Sequence, residues 1–177
     1  MKEDLQDPSP ADLKNEFRNQ QGFNDLFEVF RKALERRIDD VDVYRELFWN
    51  NSLKSEELFF FAKRLGEVFP HIGFEIYMWL SGVFESRPAE VDSLELAFLC
   101  LKKASEFDPK SDEPYRNSCT LFNPDLRIPT LQSIIFFLKS GVDKVEDPVS
   151  IYERLSVFYK MDGNDEMFNY FKQKSRR

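Results

Sequence analysis

Four tyrosines cut this chain into segments of nearly equal length, and that spacing limits its fold more than any other feature. Tyr44, Tyr77, Tyr115 and Tyr152 are separated by 33, 38 and 37 residues. Eleven positions before each stands a small residue: Ala33, Gly66, Ala104 and Gly141. Seven positions before the small residue come Leu26, Phe59, Ala97 and Ile134, and four before it Val29, Ala62, Cys100 and Phe137. Three positions after the tyrosines come Leu47, Leu80, Ser118 and Leu155, and seven after come Asn51, Phe84, Phe122 and Tyr159. Offsets of three, four and seven place side chains on one face of an α-helix. Two such faces in every period of about 35 residues predict helical hairpins stacked as repeats.

These columns resemble the tetratricopeptide repeat, whose first helix carries W-x2-L-G-x2-Y and whose second carries A-x3-F and then Pro. Residues 152–159 (YERLSVFY) and 77–84 (YMWLSGVF) are similar to the first helix, with Tyr for Trp and Ser for Gly. Residues 97–109 (AFLCLKKASEFDP) are similar to the second, including the Asp-Pro that closes it. Ser118 and Asn51 depart from the pattern, replacing larger residues in their columns. The resemblance spans residues 23–177. It implies an all-α, right-handed stack of about five antiparallel helical hairpins, and a scaffold or adaptor that holds another protein.

The chain supplies local signals for ten helices. Residues 1–9 are polar and read as a flexible N-terminus, with residues 10–177 as a single helical-repeat domain. Ser9-Pro10 followed by Asp12 is a helix start. That first helix, 10–20, has only Leu13 and Phe17 as an apolar stripe and reads as a cap over the end of the stack, ended by Gly22. The second, 23–38, carries Phe23, Leu26, Phe27, Phe30, Ala33 and Leu34. A third runs from Asp40 to Asn50, and Asn50-Asn51-Ser52 is a turn. Ser55-Glu56-Glu57 caps the fourth, which Pro70 stops. Its Phe59, Phe60 and Phe61 cannot share one face, which predicts burial on two sides. The fifth helix, 72–85, holds Gly82, whose cost in a helix interior predicts close approach of another backbone. The sixth is read over 90–107 and the seventh over 112–122. NPDLRIPT at 123–130 forms the least regular link. The eighth is read over 130–141, with Gly141 as its C-terminal cap or with continuation to Lys144. The ninth spans 148–161. Asp162-Gly163-Asn164 turns the chain into the tenth, 164–175, whose basic end suits a helix C-terminus.

Composition narrows the function classes. A net charge of −7 argues against a general nucleic-acid binder, which carries a basic stripe. It also argues against docking on an anionic membrane. No apolar run approaches the ~18 residues of a membrane span, and MKEDLQDPSP lacks the apolar segment of a signal peptide. The expected compartment is cytoplasmic. Cys100 and Cys119 both fall in core-type columns of different hairpins and read as buried thiols rather than a disulfide. The one histidine, His71, follows Pro70 and has neither a second histidine nor a cysteine near it, which makes it a turn residue rather than a metal ligand. No phosphate-binding loop, EF-hand or HExxH motif is present. The expectation is no enzyme, no metal and no cofactor.

Binding is the positive expectation. In a right-handed stack the first helix of each hairpin lines the concave face. The residues outside its core columns are then Arg45 and Trp49, Met78 and Trp79, Arg116, Asn117 and Thr120, and Arg154. Glu46, Gly82, Glu113, Glu153, Val157 and Met161 lie among them. Some tetratricopeptide proteins hold a partner's C-terminal carboxylate with Lys, Arg and Asn at these places. Asn117 and Arg154 match two of that set, but Met78 and Gly82 stand where it calls for Lys and Asn, which argues against a full clamp. Trp49, Trp79 and Met78 offer the large contact area typical of interface hot spots, which requires at least one Trp to be more than a third exposed. The alternative is a subunit of a larger assembly, or a homodimer, contacting through the terminal helix or the convex face. That role also fits RNA-processing machinery. Exposed Met167, Phe168 and Phe171 on the last helix would favour it.

Overall fold

Several helices start where a side chain satisfies the unpaired backbone groups of a helix end. A computed structural model describes residues 9–87 and 92–176. Ser9 Oγ accepts from the Asp12 amide at 3.3 Å while Asp12 Oδ2 accepts from the Ser9 amide at 2.8 Å, and α1 (Pro10–Asn19) follows. Gly22, at φ +84, turns the chain into α2 (Phe23–Glu35). Asp40 caps α3 (Val41–Phe48) by accepting from the Asp42 amide. For α4 (Ser55–Val68) the cap differs from expectation: Lys54 is the cap residue, and Glu57 reaches back to its amide at 2.7 Å. A single 3₁₀ turn, Pro70–Ile72, leads into α5 (Gly73–Glu85). Then come α6 (Ser93–Phe107), α7 (Glu113–Thr120), α8 (Leu131–Gly141), α9 (Val149–Met161) and α10 (Asp165–Lys174). Asn164 caps the last by accepting from the Met167 amide at 3.1 Å, beside Gly163 at φ +76. The expected start of α6 at residue 90 lies outside the described residues.

The fold is all-α. Among the described residues there is no β-strand, only an isolated bridge between Asn123 and Ile128 in the irregular link that also holds the cis Ile128–Pro129 peptide. The chain divides into two compact units, the first ending at Ile76 and the second starting at Tyr77. In the first, α1 packs against α2 and α3. Its core is aromatic: the Tyr44 ring lies 6.1 Å from Phe17 and 6.0 Å from Phe30, and Phe30 meets Phe61 edge-on at 4.8 Å. In the second, α7 packs against α6, α8 and α9, and α9 against α8 and α10. The repeat columns form both cores. All four small residues are buried, as are Leu47, Leu80, Ser118 and Leu155. The exceptions are Asn51, which is exposed, and Phe59, Phe122 and Tyr152, which are half-buried.

Leu13 and Phe17, the apolar stripe of α1, are fully buried, and α1 contacts both α2 and α3. Two expectations are corrected. Of the three consecutive phenylalanines, Phe61 is buried, Phe59 half-buried and Phe60 41% exposed, because successive helical positions turn by about 100° and α4 buries one broad face only. Gly82 is exposed, and a Cβ built on it meets nothing within 4 Å among the described residues, so none of their backbone requires the glycine. Gly82→Ala is expected to raise stability by about 1 kcal/mol, through helix propensity alone. The check is the urea midpoint, which should rise at unchanged slope.

Gly141 also has a role other than the one its position suggests. It is the last residue of α8, but Val142 is the cap, and Gly141 lies buried against the Tyr115 ring.

Candidate functional site

The expected binding residues fall in both units. In the first, α3 carries Arg45 and Trp49. Arg45 is engaged within its own helix: Nη1 lies 2.5 Å from Asp42 Oδ1. Trp49 ends α3 and is 45% exposed, which meets the requirement for one exposed indole. It forms one wall of a cavity of about 300 Å³ whose other walls are Arg18, Gln21, Glu46, Asn50 and Asn51. Arg18 grips Glu46 with both arms of its guanidinium, at 3.2 Å to Oε2 and 2.7 Å to Oε1. That hydrogen bond, more than the charge itself, holds the Glu46 carboxyl below its usual range, against an upward push from burial. Asn50 is consumed by the fold. Its amide donates to the carbonyls of Phe17 and Gln20, both at 2.9 Å, and its oxygen accepts from the amide and hydroxyl of Ser52.

A second cavity, of about 410 Å³, is lined by Asp39, Asp40, Val41, Asp42, Arg45, Ile72 and Glu75. His71 lies outside it, with Nε2 3.0 Å from Asp39 Oδ2. Among the described residues no group of three or more His, Cys, Asp or Glu is placed to hold a metal ion.

In the second unit Met78 and Trp79 are half-buried on α5. On α7, Arg116 Nε is 3.0 Å from Asp112 Oδ2, an i,i+4 pair to which the Ser150 hydroxyl also donates. Asn117 and Thr120 are exposed, and the Thr120 hydroxyl donates to the Asn117 carbonyl at 2.8 Å. On α9, Arg154 is exposed and holds no carboxylate among the described residues. Val157 and Met161 are 53% and 51% exposed. Spacings of three and seven from Arg154 put all three on one face of α9. α9 packs against α7, and Arg154 stands near Cys119 of that helix. Burial pushes the Cys119 thiol up to about 11, and the Arg154 charge offsets part of the rise. Cys100 is pushed well above the usual range by burial alone. Both cysteines are free thiols, held in forms that make poor nucleophiles.

On the last helix Met167, Phe168 and Phe171 are covered in part or in full, while Tyr170 is 50% exposed. Phe171 is buried and stacks on Tyr159 at 5.6 Å and Tyr152 at 6.0 Å. Phe168 is half-buried, with the ammonium groups of Lys160 and Lys172 at 5.2 and 4.9 Å from its ring centre. Met167 is half-buried. The condition that would favour an end-on partner is therefore not met. Sequence reasoning passed over two other exposed side chains, Phe136 at 75% and Leu99 at 42%. Each stands five positions before a small residue of the repeat, so the repeat alignment places them at equivalent points of α8 and α6. No described helix is long and apolar enough to cross a membrane.

No family model matches this chain, and no curated protein matches it in sequence. Among solved structures it is similar to two crystal structures of MamA, each at 16% identity and a TM-score of 0.48. One match covers 92% of this chain and 86% of the other, and the second covers 85% of each. At that distance the likeness assigns no function.

Proposed function

We propose that this chain is a protein-interaction module and that the α7–α9 face of its second unit receives a segment of a partner protein. The observation that carries the reading is Arg154, an exposed guanidinium that holds no carboxylate among the described residues, in line with the exposed apolar side chains Val157 and Met161. An apolar side chain packed on Val157 and Met161 would set an adjacent acidic group within reach of Arg154, and a guanidinium binds a carboxylate through two parallel bonds. Asn117 and Thr120 supply polar groups at the edge. Arg45 and Arg116 contribute less, because each already holds an aspartate of its own helix.

Affinity capture from native lysate tests this with wild type beside Arg154→Glu/Val157→Asp, both changes lying on the exposed surface. A partner retained by wild type and lost by the variant, at unchanged circular dichroism, supports the reading. A partner retained equally by both rejects it. The second reading, a subunit that assembles through its outer face, has one observation in its favour, the exposure of Phe136 and Leu99. A partner lost on Phe136→Ser but kept by the Arg154→Glu/Val157→Asp variant would move binding to that face.

A further inference from the structure

Phe136, at 75% the most exposed large apolar side chain among the described residues, stands on α8, and Leu99, 42% exposed, on α6. Both helices pack against α7, which lies between them in the chain, and alternate helices of an antiparallel stack run the same way. Phe98 and Phe137 join the two helices edge-on, with 5.5 Å between ring centres. Leu99 follows its phenylalanine and Phe136 precedes its own. In parallel helices both therefore turn to the same side, about 100° from that contact. Their equivalent places in the repeat put them level with each other.

The charges around these two residues have the same order on both helices. Four positions before Leu99 is Glu95, and three after it is Lys102. Four positions before Phe136 is Gln132, whose Nε2 donates to Asp162 Oδ1 at 2.8 Å, and three after it is Lys139. Offsets of three and four keep them on the side of the exposed residue. Glu95 holds no cation, and neither Lys102 nor Lys139 holds a carboxylate, among the described residues. Acid thus precedes base about each apolar residue. A two-fold axis crossing α6 at Leu99 and α8 at Phe136 lays each helix antiparallel on its own copy. The apolar residues then meet their counterparts, Glu95 meets Lys102 of the other copy, and Lys139 meets the Gln132–Asp162 pair. Lys103, 2.8 Å from Glu106, falls toward Asp92 of the other copy. A net charge of −7 repels a second copy over most approaches, but on this face the two-fold sets opposite signs together. An isologous contact requires such a self-complementary patch, and an unrelated partner does not. We propose that the α6–α8 face of the second unit is a two-fold self-association surface, occupied by a second copy of this chain. This rests on the outer-face reading and names its partner.

Sedimentation velocity and light scattering on the full chain test this up to about 1 mM, the weak end of specific association. The expected result is a reversible rise in mass from one chain to two. Phe136→Ser should weaken dimerisation by about 10-fold or more, since each dimer covers two such rings. Glu95→Lys and Lys102→Glu should each weaken it by roughly 3- to 30-fold, because two exposed pairs per dimer become repulsive. Mixed in equal amounts, those two variants should regain the wild-type affinity, because in the mixed dimer each introduced charge meets its opposite. Circular dichroism checks that each variant keeps the fold. The proposal is overturned by the mass of one chain at every concentration, by wild-type affinity in Phe136→Ser, or by a mixture that associates no better than its components. A mass that climbs past two chains also overturns it, because a two-fold contact closes. Arg154→Glu/Val157→Asp should dimerise like wild type, so the α7–α9 reading and this surface fail independently. A single-chain mass, with a captured partner lost on Phe136→Ser, would leave the outer-face reading standing with another protein as its occupant.

Discussion

Asn50→Ala should remove roughly 3 kcal/mol of stability, although its neighbour Asn51→Ala should remove almost none. Asn50 is 7% exposed, and its carboxamide ends a chain of hydrogen bonds between two turns. The Gly22 amide donates to Ser52 Oγ at 2.8 Å, and the Ser52 hydroxyl donates to Asn50 Oδ1 at 2.7 Å. Asn50 then donates to the carbonyls of Phe17 and Gln20 at the end of α1. Carbonyls in the last turn of a helix have no partner within it. Truncation therefore removes several bonds and also strands a carbonyl in a buried place, where an unsatisfied group costs about 1–3 kcal/mol. Urea unfolding followed by circular dichroism reads the result. A fall in midpoint for Asn50→Ala within the scatter of Asn51→Ala would mean that water replaces the amide, and the link between the two turns would lose its weight.

The sequence made the helices and their core columns legible because both follow from periodicity, and periodicity is enforced by burial. Nearly every residue at offsets three, four and seven from a tyrosine or a small residue is buried. The exceptions teach more. Asn51 occupies a core column and is exposed, while Asn50, one position earlier, is buried and hydrogen-bonded on all sides. Nothing in two adjacent asparagines distinguishes the one that satisfies a distant helix end from the one that faces water. The same holds for glycine. Gly82 and Gly141 look alike as residues within helices, yet one has open space beside it and the other an aromatic ring. Tertiary neighbours decide such cases.

The candidate surfaces were legible in part, for a related reason. Discounting the core columns leaves the solvent face, so Trp49, Asn117, Thr120 and Arg154 were found by elimination. What elimination cannot supply is pairing. Arg45 and Arg116 each follow a repeat tyrosine by one position and Arg154 follows one by two, but only in the folded chain do Asp42 and Asp112 engage the first two while Arg154 holds no carboxylate among the described residues. Arg18 and Gln21, which complete the Trp49 cavity, come from α1 and the turn after it, about 30 positions from Trp49 and outside the aligned repeats. Val157 and Met161 were placed on the solvent face by the same elimination, as apolar residues of α9 outside the core columns.

Gly141→Ala is the counterpart of Gly82→Ala and is expected to act with the opposite sign. A Cβ at position 141 would stand 2.7, 2.8 and 2.9 Å from Cε1, Cζ and Cδ1 of Tyr115. The ring has little room to retreat: it is fully buried and stacked on Phe137 with 4.5 Å between centres. Forcing an extra carbon into a packed core costs about 1–3 kcal/mol. The propensity gain of alanine over glycine offsets at most about 1 kcal/mol, and less at the last residue of a helix. The net expectation is a loss of about 2 kcal/mol. A double-mutant cycle isolates the cause. In a Tyr115→Leu background the flat ring is gone, and Gly141→Ala should become neutral or slightly stabilising, giving a coupling of at least about 1 kcal/mol. If Gly141→Ala is harmless in the wild-type chain, the ring shifts without cost, and the small residue that precedes each tyrosine of the repeat is a mark of periodicity only. If the coupling appears, the glycine is the consequence of an aromatic side chain laid flat against a helix backbone. The pairing of a small residue on one helix of a hairpin with a tyrosine on the other would then be a packing rule of this chain.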